Sequence, residues 1–220
     1  MFLKIFTFFF PWSIRRILLN KWFGFKIDRT AFIGLAWIFP KELEMAAGSK
    51  IDHFTVAINL DKIILDVQAT IGRGNWITGF PTNTDSPHFI HEYNRKAELK
   101  IGAYSAVTKK HHLDCTNQII IGHHATIAGY ASQFLTHSID VIENRQSSAP
   151  IHIGNYTFVG TNVVVLGGAQ LPDNSVLGAK SLLNKALEKP WFLYAGVPAR
   201  EIQIIPADAK YFSRIDGFVY

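Results

Sequence analysis

The sequence predicts an all-β parallel β-helix, a fold whose thin coils bury an apolar face only by stacking on one another. Three observations carry the prediction. From Ile153 the chain reads IGNYTF, VGTNVV, VLGGAQ, LPDNSV, LGAKSL, LNKALE, with aliphatic residues evenly spaced at Ile153, Val159, Val165, Leu171, Leu177 and Leu183. The fifth place of each hexad is small or apolar (Thr157, Val163, Ala169, Ser175, Ser181, Leu187), and turn-tolerant Gly154, Gly160, Pro172 and Gly178 follow the aliphatic residue. The same beat recurs upstream at Leu65, Ile71 and Ile77, at Ile101, Val107 and Leu113, and at Ile121 and Ile127.

Taken in order, the first segment, about residues 1–32, is apolar with interspersed cations. Its uninterrupted apolar stretch falls short of the roughly 20 residues that span a bilayer, Pro11 breaks it, and no small-residue cleavage site follows. Ile14, Ile17, Leu18 and Trp22 recur at helical spacing with Arg15, Arg16 and Lys21 between them. This predicts one or two amphipathic helices whose apolar face packs on the open end of the β-helix as a cap, with an interfacial contact to lipid as the sharper reading. Residues 33–188 form the β-helix, with irregular early coils over Ile33–Ile64. A coil has a fixed circumference, so the breaks in the beat at Phe80–Leu99 and Thr136–Pro150 are expected to leave as loops. Residues 189–220 are a C-terminal extension that opens at Lys189 and Pro190 and ends in a tail capable of a short helix.

Composition narrows the chemistry. The single cysteine, Cys115, excludes an internal disulfide and reads as a small buried hydrophobe. The net charge of +5 suits nucleic acid, anionic lipid or a phosphorylated ligand. Nucleic acid ranks last, because the chain has no zinc-finger spacing, no RNP-type motif and no long Lys/Arg run.

The hexads from Ile153 followed by YAGVPAREI (Tyr194–Ile202) resemble the end of a hexapeptide-repeat acyltransferase, a family with a left-handed parallel β-helix. Ile119–Asp140 (IIIGHHATIAGYASQFLTHSID) resembles the active-site coil and loop of members that acetylate sugars. The resemblance spans Leu65–Ile204. Hexad spacing alone shows a coil, so left-handedness comes from the resemblance.

The resemblance implies His137 as general base. A sugar hydroxyl is a poor nucleophile at neutral pH, and an imidazole takes its proton as the oxygen attacks a thioester. The other ring nitrogen needs an acceptor, for which Asp140, Asp114 and a backbone carbonyl all remain open. Asp114 is also a candidate for orienting acceptor hydroxyls, and His111 and His112 for lining the same cleft. The oxyanion would be held by a backbone N–H. Acetyl-CoA is implied as acyl donor. Gly160, Thr161, Gly178 and Ala179 would lie along the pantetheine, with Lys180, Lys185 and Arg200 as candidates for its phosphates. The family's groove between two β-helices implies a homotrimer.

A shared zinc ion is disfavoured: the family's zinc pattern places histidines five apart, and no pair here has that separation. The expectation is therefore a metal-free, acetyl-CoA-dependent O-acetyltransferase acting on a sugar of a surface polysaccharide or lipopolysaccharide by direct transfer. It would lie in the cytoplasm or peripherally at the inner face of the membrane. An amino-sugar N-acetyltransferase and a non-catalytic scaffold at a membrane complex are the alternatives.

Overall fold

The computed structural model describes residues 2–219. Lys26–Ile27 opens the first of seven coils, somewhat before residue 33, and the seventh ends at Leu182–Leu183. Each coil contributes one short strand to each of three parallel sheets, which form the faces of a triangular prism. The first face runs from Lys26–Ile27 to Gln170–Leu171, the second from Phe32–Ile33 to Val176–Leu177, and the third from Trp37–Phe39 to Leu182–Leu183.

Successive side chains on a strand point to opposite sides, so one residue per short strand enters the core and its neighbours face out. The hexad aliphatics are those inward residues. Ile121, Ile153 and Leu171 stack in register on the first face, Ile127, Val159 and Leu177 on the second, and Leu113, Phe134, Val165 and Leu183 on the third. All of them are buried.

The early coils are built on the same three faces as the late ones. Met45, Ile51 and Ala57 stack beneath Leu65, Ile71 and Ile77. Between Ala57 and Leu65, however, the chain spends two residues more than one hexad, at the edge where the third face passes into the first. Leu60 fills that corner from inside. This displacement hides the period over Ile33–Ile64.

Both insertions leave from the same third–first edge. Residues 79–97 form the first, and Leu99 already belongs to the strand Glu98–Ile101. The second is an antiparallel hairpin, His137–Asp140 paired with Arg145–Ser148. Because they share an edge on nearby coils, they pack together.

The helix Trp12–Phe23 covers the open end. The carbonyls of the first coil have no coil beneath them, and helix side chains satisfy several: Trp12 Nε1 donates to Ala31 O (2.9 Å), Arg15 to Gly34 O (2.9 Å) and Asn20 to Ile27 O (3.0 Å). At the other end Phe192–Gly196 adds to the second face and turns back into Ala199–Ile204. The tail then returns along the prism, with a short 3-10 turn at Lys210–Ser213, and Tyr211 donates to Thr157 O at 2.9 Å.

Candidate active site

Asp114 is the outward-facing last residue of the strand His112–Asp114 on the third face, and His137 stands where the hairpin leaves that face one coil later. The two meet: His137 Nδ1 lies 2.5 Å from Asp114 Oδ2. The Asp114 side chain is 6% exposed and that of His137 44%, so the pair has one buried end and one open end. A carboxylate only accepts, so Nδ1 carries the proton and Nε2 is left as a free base.

Asp114 is held from several sides. Thr116 donates to Oδ1 from its hydroxyl (2.7 Å) and its backbone N–H (3.2 Å), and the His137 N–H reaches Oδ2 at 3.2 Å. The Thr136 hydroxyl lies 3.3 Å from Oδ2 and 2.8 Å from Asp114 O. Burial pushes the carboxyl up, but the hydrogen bonds from His137 and Thr116 outweigh it and leave it below the usual carboxylate range. The hydrogen bond to Asp114 raises His137 above an ordinary imidazole, against burial and the charge of Arg95. With both oxygens engaged, Asp114 orients the histidine and has no free face for an acceptor hydroxyl.

The first insertion closes over this pair. Phe89 meets the His137 ring edge-on, with centroids 6.1 Å apart. Arg95 lies over the Phe89 ring (4.7 Å) and donates to Thr116 O (2.6 Å), Pro81 O (3.1 Å) and Phe80 O. Glu92 accepts from the N–H of Ser148 (2.6 Å) and from its hydroxyl, fastening the insertion to the hairpin. A groove between them is lined by Glu92, Tyr93, Arg95, Asn117 and Ser148. None of Thr116, Phe89, Arg95 or Glu92 is evident from the sequence beat. Only Thr116, two residues after an aspartate, carries a local signal, that of an Asx-type turn.

Other expected residues fall elsewhere. Asp140 does not touch His137; its carboxylate accepts from the N–H groups of Ile142 and Glu143 and shapes the hairpin turn. His111 is turned into the second–third edge, where it is buried against Thr108 (3.0 Å) and the Ser132 N–H (3.2 Å), and burial lowers it to about 4. It therefore cannot line the cleft. His112 faces outward on the third face between Trp76 and Gln133, on the same side of its strand as Asp114. Cys115 is buried, and burial raises its thiol, so it is no nucleophile.

Gly160, Thr161, Gly178, Ala179 and Lys180 share the second–third edge on the last two coils. A Cβ at Gly160 would lie 2.6 Å from the Ala179 nitrogen, so stacking alone accounts for that glycine. The Thr161 hydroxyl is bonded to Tyr130 N and O (3.1 and 3.0 Å). Lys185 lies on the opposite, third–first edge, and Arg200 is exposed on the outer strand of the C-terminal hairpin. One chain thus puts the imidazole on one edge of the third face and the glycine edge on the other. Among the described residues no three His, Cys, Asp or Glu side chains are grouped to hold a metal ion.

No protein-family model matches the chain. A galactoside O-acetyltransferase of Escherichia coli K12 is 28% identical over 156 residues, covering 69% of this chain and 71% of that protein. A hexapeptide-repeat acetyltransferase of Vibrio cholerae, solved with acetyl coenzyme A, aligns with a TM-score of 0.51 at 24% identity over 64% of this chain and 70% of its own. A polysialic acid O-acetyltransferase aligns with a TM-score of 0.59 at 16% identity over 87% of this chain and 90% of its own. At these identities the two structures speak for the fold alone, which is the left-handed parallel β-helix. The chain is thus similar in sequence to a galactoside O-acetyltransferase and in fold to the hexapeptide-repeat acetyltransferases.

Proposed function

We propose that the protein is an acetyl-CoA-dependent O-acetyltransferase acting on a sugar hydroxyl of a surface polysaccharide or lipopolysaccharide, working at the inner face of the membrane. The His137–Asp114 pair carries this reading: a buried carboxylate fixes one tautomer and leaves Nε2 as a half-exposed base. His137 takes the hydroxyl proton as the sugar oxygen attacks the thioester carbonyl. The tetrahedral intermediate collapses, the C–S bond breaks, and the coenzyme A thiolate recovers the proton from the imidazolium. Asp114 stabilises that imidazolium in between. No acyl-enzyme is required, and the one thiol is buried.

The donor site is the groove of a homotrimer. The glycine edge with Gly160 and Gly178 and the edge carrying His137 lie on opposite sides of the third face, so they converge only if the edge of one copy faces the other edge of the next. Lys180 and Arg200 are then the cations on the donor side. Replacing His137 with Ala should lower acetyl transfer from acetyl-CoA by on the order of 100- to 10,000-fold, with a lower melting temperature because the buried Asp114 loses a partner. Full activity in that variant would leave the reaction without its base, whereas no turnover by the unaltered protein would favour a non-catalytic scaffold. Lability of the product to mild alkali separates the expected ester from the amide of an N-acetyltransferase.

A further inference from the structure

The capping helix Trp12–Phe23 carries apolar side chains on both its inner and its outer side. Its polar side chains Arg15, Arg16 and Asn20 face the prism and bond to carbonyls of Gly34 and Ile27. Leu19, Trp12 and Phe23 pack on the core beside them, while a second apolar stripe faces away: Ile14, Ile17 and Trp22 are 46%, 54% and 45% exposed. The preceding segment adds exposed Leu3, Phe6 and Phe9, and Phe9 continues into a groove with Leu35, Trp37 and Phe54 from the first two coils. The N-terminal end therefore exposes many large apolar side chains, of the kind that mark an interaction site.

Charge decides the occupant. The first 41 residues hold seven of the chain's 22 Lys and Arg and one of its 17 Asp and Glu, so its net charge of +5 is concentrated here. Two copies meeting end to end through this surface would bring two cationic rims together. An anionic bilayer complements both features, taking the Phe and Trp side chains below the headgroups and Lys21 and Arg29 at their level. Among the described residues no helix is long and apolar enough to cross a membrane, so contact with a bilayer would be interfacial. We propose that this end of the prism docks on the surface of an anionic lipid bilayer, with the cap serving as both lid and anchor. Coils are stacked at the spacing of neighbouring strands, about 4.8 Å, so Asp114 in the fourth coil stands roughly 15 Å above the first.

The test is flotation of the full chain with vesicles of phosphatidylcholine alone and of phosphatidylcholine and phosphatidylglycerol in equal parts. The chain should float with the anionic vesicles and bind neutral ones at least about tenfold more weakly. Two variants, Phe9→Glu with Ile17→Glu and Lys21→Glu with Arg29→Glu, should each lower anionic binding about tenfold or more. All four residues are exposed, so unchanged thermal melting will show that each variant folds. The proposal is overturned if the chain stays unbound to anionic vesicles, if neither variant weakens binding, or if Ile17→Glu instead dissolves an end-to-end assembly of copies. Acetyl transfer to a soluble acceptor does not depend on this surface, so failure here and failure of the catalytic reading are distinguishable.

Discussion

His137 and Asp114 lie 23 positions apart, and their pairing follows from one coil plus one register step: Asp114 is opposite Leu135, and His137 comes two residues later. Asp114→Asn removes the negative charge that raises the imidazole. The acid limb of kcat/KM should then move to lower pH, while the plateau falls by on the order of 100-fold or more. An unmoved limb would mean that another group controls it. His137 was legible because the THS stretch carries the family resemblance. Asp114 was legible only as one of several acceptors, since choosing it over Asp140 requires knowing that Asp140 is spent on the hairpin turn. Arg95 and Glu92 were not legible, because their partners Thr116 and Ser148 lie far along the chain and pair with them only through the shared edge.

His111 predicts a pH dependence of stability. It is buried and neutral with its pKa lowered to about 4, so between there and the unfolded value near 6.5 the unfolded chain binds the extra proton. Stability therefore rises with pH across this window, and is lost as pH falls through it, by up to roughly 3 kcal/mol. His137 has the opposite sign: its pKa is raised, so its contribution is complete below about 6.5 and fades as pH rises through the raised value. Urea midpoints taken from neutral pH down to pH ~4 should decline, and His111→Gln should flatten that decline. Equal slopes would assign the effect elsewhere.

At the scale of the element, the coil is specified by its corners as much as by its hexads. A Cβ at Gly72 would lie 2.0 Å from the Thr108 carbonyl oxygen of the next coil, a backbone atom that cannot step aside. Gly72→Ala should cost about 1–3 kcal/mol in urea unfolding, and a neutral result would show that the coils can separate at that edge. The later hexads were readable because Ile153, Leu171 and their neighbours advance by uniform corners. The early ones were not, because the extra residues before Leu65 shift the phase without changing the fold. The second insertion reads as a loop for a related reason: its outward strands His137–Asp140 and Arg145–Ser148 pair only with each other and bury no apolar stripe that a period-two pattern would reveal. The capping helix was expected with its apolar face on the prism, where Leu19 does pack, but that Arg15 and Asn20 share this face was not legible. That depends on unpaired carbonyls of the first coil, which only the assembled structure exposes.

For the whole molecule, the prism sets His137 and the Gly160–Gly178 edge on opposite sides of its third face, and the proposed homotrimer would bring them together. A crystal structure with coenzyme A bound tests this most directly. Pantetheine should run past Gly160 and Gly178 of one copy, with its sulfur within about 4 Å of His137 Nε2 on a neighbouring copy. Coenzyme A seated on a single chain, or with its sulfur remote from every His137, would contradict this arrangement.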